Sequence, residues 1–408
     1  MFVRRHAIEP REDWQAAVER VGLTYHTLED GSPYWDESAY WEFSAAEVDR
    51  LEAATAEIQR LALAAGDVIL NPESGRNWLE KMGIPESAWG RIRETWSSEP
   101  PALYGRLDLA YDGHSIKLLE YNADTPTALV EAAVVQWYWL QERFPKLDQW
   151  NSLHEKLVAK WKDLKPYVAE PMHFAHDGAE EDAMTVAYLR DTAQQAGLKT
   201  VELLMHEIGW EKAPQGPGGR FVDLQGKAIR TLFKLYPWEW VLNEGFGAHA
   251  LETMDAADQT VVEGRVQWLE PIWKMLWSNK ALLAVLWDLN PGHELLLPAY
   301  LDGPGKMQNY VRKPLFGREG NGVTVFRNWA EESGQKAKTV AETAAEDAKV
   351  SGGKFVWQQM ASLAQADGRT AVLGSWLVDG EPAGMGVRES DGLITNNFSR
   401  FVPHLFRS

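Results

Sequence analysis

YGRLDLAYDGHSIKLLEYNADTPT, residues Tyr104 to Thr127, reads as two strands joined by a tight turn at Asp112-Gly113. Residues two apart on a strand share a face, so Arg106 goes with Asp108 and Glu120 goes with Asn122. Whether the two pairs meet depends on the turn. A two-residue Asp112-Gly113 turn sets Asp108 opposite Lys117 and sends the pairs to opposite sides. A three-residue loop, Asp112 to His114, sets Arg106 opposite Glu120 and gathers all four groups on one face. Only the second arrangement makes Asp108, Glu120 and Asn122 a set of hard oxygen ligands for Mg²⁺, with phosphate and water filling the other positions. The plainer alternative is a solvated face with a cross-strand Arg106–Glu120 pair worth about 0.2 to 1 kcal/mol. The polar segment Asn122 to Thr127 either holds a ligand, with Thr125 as a candidate, or only ends the strand.

Around the hairpin the sequence describes a mixed α+β and α/β protein in three parts. Residues 1–100 are mainly helical: Ser44 and Glu47 form a capping box before an amphipathic run that is expected to stop at Gly66. Residues 101–268 hold the hairpin, a helix over Glu131 to Phe144, and an alternation of strand (MHFAH), helix (AMTVAYLRDTAQQAG) and strand (TVELLMH, IRTLFKLYP) that predicts an α/β layer. Residues 269–408 predict a helix over Glu270 to Leu286, then an antiparallel lobe built from MQNYVRKPLFGREGNGVTVF, FVWQQM, AVLGSWLV and GMGVRE, with a charged, alanine-rich stretch inside it.

Composition narrows the function. The chain has 408 residues, 45% of them hydrophobic, which is enough for a substantial core. Its 41 basic and 59 acidic residues give a net charge of −18, which argues against nucleic acid or an anionic membrane as partner and is compatible with a cationic substrate. There is no cysteine, so disulfides, thiolate metal sites and a thiol nucleophile are excluded. The N-terminal residues lack a signal-peptide apolar region and no apolar run is long enough to span a bilayer, so a cytoplasmic location is expected.

A second candidate element is Tyr310 to Val325, which reads as strand, glycine-rich loop, strand. Gly317, Gly320 and Gly322 let backbone N–H groups approach a phosphate, while Lys313 and Arg318 supply positive charge. It is not a Walker A loop, which needs Gly-Lys-Ser/Thr at the start of a helix. Lys280 lies at the polar edge of an apolar helix and Arg388 lies in Met385-Gly386-Val387-Arg388. Gln358 and Gln359 end the strand FVWQQ and either meet a nucleotide base or merely leave the sheet.

Taken in order, YGRLDLAYDG…LLEYNADTPT, WSNKALLAVLW, VRKPLFGREGNGV, FVWQQ and GMGVRES resemble the synthetase domain of the glutathionylspermidine synthase family over nearly the whole chain. The resemblance implies an ATP-grasp carbon–nitrogen ligase with an antiparallel lid and ATP and magnesium as cofactors. It implies Asp108, Glu120 and Asn122 as magnesium ligands, Arg106 on the reacting carboxylate and phosphate, Lys280 and Lys313 on the ATP phosphates, and Arg388 on the phosphoryl group in transfer. The implied chemistry activates a carboxylate as an acyl phosphate, which an amine then converts to an amide. No protein nucleophile is required, so the absence of cysteine is no obstacle.

Two departures from the family pattern bear on the substrates. The chain has neither the length nor the cysteine of an additional amidase domain, so ligase chemistry alone is expected. Leu235 and Trp240 stand where the resemblance implies threonines that hold glutathione. A bound peptide would lose partners at about 1 to 3 kcal/mol for each polar group buried without one. Glu181, in Glu180-Glu181-Asp182, matches a family glutamate that binds a peptide amino end, so an amino-bearing acid remains compatible. The competing classes are a degenerate ATP-grasp protein that binds nucleotide without catalysis, and a carbohydrate-binding protein suggested by the 20 tryptophans.

Overall fold

The computed structural model describes residues 4–74, 77–214, 218–255, 264–318, 320–328, 330–334, 352–396 and 398–407. The charged, alanine-rich stretch lies mostly outside the described residues. At the centre is a six-stranded antiparallel sheet in which the hairpin strands Tyr104–Tyr111 and Ile116–Asn122 lie beside Arg369–Val378, Glu381–Ser390 and Arg400–Val402. The short strand Ala364–Ala366 also pairs with Arg369–Val378. Every residue of Tyr104–Tyr111 is buried, because the sheet is covered on both faces.

One covering element is the helix Ala45–Leu70. Its capping box is present, with Ser44 Oγ accepting from the Glu47 N–H and Glu47 Oε2 accepting from the Ser44 N–H. The helix continues through Gly66, where the sequence predicts a stop. A Cβ there would lie 2.3 Å from the Trp96 ring, so this glycine makes room for a neighbour rather than ending the helix.

A four-stranded parallel sheet, in the order Gln267–Leu269, Thr231–Leu235, Met172–His176, Thr200–Leu204, forms the expected α/β layer. The helix Glu180–Gln195 makes the crossover and ends before Gly197, whose φ of +85° favours glycine. A five-stranded antiparallel sheet carries Tyr310–Pro314 between Phe355–Gln359 and Thr324–Arg327. The tryptophans are chiefly core: Trp35, Trp139, Trp161, Trp238, Trp277 and Trp376 are among the largest fully buried side chains. That leaves few of them to build a sugar-stacking surface. Among the described residues no helix is long and apolar enough to cross a membrane.

Candidate active site

The hairpin forms neither of the two turns weighed from the sequence. Its loop has four residues, Asp112 to Ser115, because Asp112 Oδ1 accepts from the backbone N–H groups of both His114 and Ser115, at 3.0 and 2.8 Å. Ala110 therefore pairs with Lys117, a register that, continued, would set Asp108 opposite Leu119 and turn Glu120 away. A β-bulge with Leu119 as the extra residue intervenes, so that Asp108 pairs with Glu120 and Arg106 with Asn122. The four groups share one face, by a different route from the expected one.

The neighbouring strands complete that face. Gly374 stands opposite Asp108 and Trp376 opposite Arg106. A Cβ on Gly374 would lie 3.0 Å from Arg106 Cδ, so the glycine lets the arginine lie flat across the sheet, its guanidinium 5.6 Å from the Trp376 ring. Arg106 Nε donates to Asp108 Oδ1 at 2.8 Å, and Arg388, from the next strand, donates to Asp108 Oδ2 at 2.6 Å. Both oxygens of this buried carboxylate thus face a guanidinium.

Two lysines approach from the other side. Lys280 Nζ lies 3.2 Å from Glu120 Oε2 and donates to the Gly317 carbonyl at 2.5 Å. The sequence places Lys280 on a helix, whereas the structure breaks that helix into Met275–Ser278 and Leu282–Leu289 with Lys280 in the corner between them. Asn279 makes the corner: its Oδ1 accepts from the Ala281 N–H and its Nδ2 donates to the Met82 carbonyl. Lys313 Nζ donates to the Leu119 carbonyl of the bulge at 2.9 Å and to Gln358 Oε1 at 2.8 Å. Burial brings the Lys313 ammonium down to about 8, against the attraction of Glu120. Burial alone would raise Glu120, but Lys280 and Lys313 outweigh it and hold the carboxyl well below its usual range.

Two joined cavities open over these groups. The smaller, of about 110 Å³, has Asp108, Glu120, Lys280 and Lys313 at one end and Val311, Val325, Met360, Leu393 and Ile394 along its walls. The larger, of about 610 Å³, shares Glu120, Gly317, Gly320 and Thr395 with the first. Arg106, Asn122 and Arg388 line it, and so do the carboxylates Glu29, Asp30, Asp177, Glu181, Asp182 and Glu239.

The remaining candidate residues divide. Thr125 lines the larger cavity, where its Oγ1 accepts from Arg318 at 2.8 Å, and the Arg318 guanidinium lies 5.5 Å from the Trp240 ring. Glu181, in the first turn of its helix, faces the same space. Gly317 and Gly320 line both cavities, and Gly322, at φ +68°, shapes the loop without lining either. Gln358 lines neither cavity: it steadies Lys313 and donates to the Leu118 carbonyl. Gln359 alternates to the exposed side of its strand and does not reach the cavities. Leu235 is 1% exposed in the parallel sheet and lines neither cavity, so of the two departures only Trp240 meets the larger cavity.

Sequence reasoning missed Asp124 and Lys234. Lys234 is fully buried and donates to Asp124 Oδ1 at 2.6 Å, while Asp124 Oδ2 accepts from the Trp238 N–H at 2.8 Å. The pair fastens the hairpin's end to the segment that presents Trp240. A lone lysine inside the apolar strand TLFKL was the available signal.

A family model described as glutathionylspermidine synthase preATP-grasp matches residues 5–407. The chain belongs to the glutathionylspermidine synthase family. It is 37% identical to a Haemophilus influenzae protein named as an acid–amine ligase, over 97% of each chain. It is 28% identical to trypanothione synthetase of Crithidia fasciculata, over 78% of this chain and 49% of that one. It is 25% identical to the bifunctional glutathionylspermidine synthetase/amidase of Escherichia coli, over 89% of this chain and 58% of that one. The match thus spans only about half the length of these last two relatives. Among solved structures, a glutathione synthetase-like effector of Globodera pallida matches with a TM-score of 0.51 at 8% identity, covering 97% of this chain and 96% of that one, which shows a shared fold. By family, the protein is an ATP-dependent carbon–nitrogen ligase.

Proposed function

We propose that the protein joins a carboxylic acid to an amine through an acyl phosphate, using ATP and Mg²⁺. The observation that carries this reading is the one-faced hairpin set, Arg106, Asp108, Glu120 and Asn122, ringed by Arg388, Lys280 and Lys313. Four basic groups against two carboxylates leave an excess of two positive charges, which matches the two net negative charges of magnesium-bound ATP. Among the described residues no cluster of three or more His, Cys, Asp or Glu forms a metal cage. Two carboxylates and one amide oxygen, completed by phosphate and water, are the donor set that magnesium takes with a nucleotide.

The base of the nucleotide fits between the apolar walls of the smaller cavity, and its phosphates reach Lys280 and Lys313. Magnesium, held by Asp108, Glu120 and Asn122, would neutralise charge on the terminal phosphates. Arg106 and Thr125 orient the acid's carboxylate, and Arg388 steadies the phosphoryl group during transfer. The strands Tyr310–Pro314 and Thr324–Arg327, with the loop Gly317 to Gly322 between them, act as a lid that keeps water from the acyl phosphate. The carboxylates lining the larger cavity suit a cationic amine. Trp240, stacked on Arg318, takes up space near Thr125 and speaks against glutathione as the acid; a smaller amino-bearing acid fits better.

The test is release of ADP and phosphate with a panel of peptide acids and polyamines, compared with Asp108→Ala. Turnover that needs both an acid and an amine, and that disappears in the variant, supports the reading. Equal turnover in the variant rejects the assigned metal site.

A further inference from the structure

An amine arrives at neutral pH as an ammonium ion, and its nitrogen can attack an acyl phosphate only after losing a proton. The arginines and lysines are donors, Asp108 and Glu120 are committed to cations, and the carboxylates lining the larger cavity favour the amine in its charged form. We propose that Tyr34 and Glu131 form the relay that removes it. The inference rests on the ligase reading.

Tyr34 lines the larger cavity together with Arg106, Glu181 and Arg388. Its hydroxyl donates to Glu131 Oε1 at 2.7 Å. Glu131 lies behind it, 1% exposed, at the start of the helical turn Glu131–Val135, and does not itself line the cavity. Among the described residues Tyr34 is the one side chain hydrogen-bonded to Glu131. A carboxyl shut away from bulk solvent is costly unless it serves a purpose, and among the described residues no cationic side chain hydrogen-bonds to this one.

The charged groups around it come from three elements. Glu181, on the helix Glu180–Gln195, repels its ionised form; Arg106, on the central sheet, favours it; Arg388, also on that sheet, draws the Tyr34 hydroxyl towards ionisation. Burial first and Glu181 second push the Glu131 carboxyl up to about 7, so it is poised to bind and release a proton at neutral pH.

In the step, an ammonium N–H bond breaks and its proton goes to the Tyr34 oxygen while the Tyr34 proton passes to Glu131 Oε1. The products are a neutral amine, an unchanged tyrosine and a protonated Glu131. The amine nitrogen then bonds to the acyl carbon as the bond from that carbon to the phosphate oxygen breaks, and a second N–H proton leaves on the departing phosphate as hydrogen phosphate.

Hydroxylamine separates this step from the earlier one, because it is unprotonated at neutral pH and traps an acyl phosphate without a base. Wild type, Tyr34→Phe and Glu131→Gln are assayed with glutathione, γ-glutamylalanine and glycylglycine as acids, and with hydroxylamine or spermidine as amine. In both variants hydroxamate formation should stay within about threefold of wild type. Spermidine amide formation at pH 7 should fall by about 30-fold or more and recover as pH rises, with the wild-type rise near pH 7 gone, since positioned proton transfer is worth about 10² to 10⁴. Glu131→Asp, which withdraws the carboxylate from Tyr34, should behave alike and serves if the glutamine variant does not fold.

Unchanged amide formation, an equal loss of hydroxamate and amide, or a retained rise near pH 7 in Glu131→Gln overturns the relay alone. No hydroxamate from wild type with any of the acids overturns the ligase reading, and the relay with it.

Discussion

Asp108 and Glu120 stand directly opposite one another across the hairpin, on one face, with Leu119 looped out of the pairing beside them. The bulge thus does two things: it aligns two carboxylates, and it frees the Leu119 carbonyl to hold Lys313 at 2.9 Å.

Because cations surround both carboxylates, removing a negative charge should have opposite effects on nucleotide with and without metal. Asp108→Asn and Glu120→Gln are each expected to weaken binding of magnesium and a non-hydrolysable ATP analogue by about tenfold or more, one decade being about 1.4 kcal/mol. Both should bind the metal-free analogue as well as wild type does, or better. Calorimetric titration with and without Mg²⁺ reads both effects, and parallel losses in the two titrations would contradict the metal assignment.

Lys313 gives nucleotide binding a pH dependence. Its pKa is lowered by burial to about 8, so the free protein loses this ammonium above that pH while bound phosphate favours it. Affinity for the analogue should fall between pH 7 and pH 9.5, with net proton uptake on binding near pH 8. Lys313→Arg, which stays charged throughout, should flatten the profile. A wild-type profile that is flat across this range would contradict the assignment.

Lys234→Met should destabilise the fold by about 3 to 5 kcal/mol, because it leaves Asp124 buried and unpaired. The double change Asp124→Asn with Lys234→Met should recover a large part of that loss. Chemical denaturation of wild type and the two variants checks this, and a double variant no more stable than Lys234→Met would show that the pair is not the cause.

Glu131 predicts a stability trend that needs no substrate. Its carboxyl titrates near 7 when folded and near the ordinary carboxylate value when unfolded, so the native state holds the extra proton in between. Stability from this group is full at low pH and is lost as pH rises through about 7. The melting temperature of Glu131→Gln should therefore gain on wild type between pH 5 and pH 8. A constant difference between the two proteins would mean that Glu131 titrates normally.

The alternation of apolar and polar residues made the hairpin, the α/β layer and the antiparallel strands around Tyr310–Pro314 legible, since period two and the strand–helix–strand order are direct consequences of one-sided and two-sided burial. The bulge was present in Ile116-Lys-Leu-Leu-Glu-Tyr-Asn122 as well. Leu118 and Tyr121 are both buried yet three residues apart, which a regular strand cannot place on one face, so the Leu118-Leu119 doublet marks the slip. Other features depend on contacts distant in sequence. Gly66 reads as a stop until Trp96 is set against it, and Gln358 reads as a base contact until Lys313 is paired with it. Nothing local to Tyr34 or Glu131, 97 residues apart, marks them as hydrogen-bond partners beside the larger cavity.

The central claim is that these groups activate a carboxylate by phosphorylating it, and the fate of a carboxylate oxygen tests that most directly. An acid that supports turnover is labelled with ¹⁸O in its carboxyl group, and the released phosphate is analysed by mass spectrometry. One labelled oxygen should appear in inorganic phosphate for each amide formed, with ADP as the other product. Unlabelled phosphate, or label carried into AMP, would contradict the acyl phosphate and the roles assigned to Arg106 and Arg388.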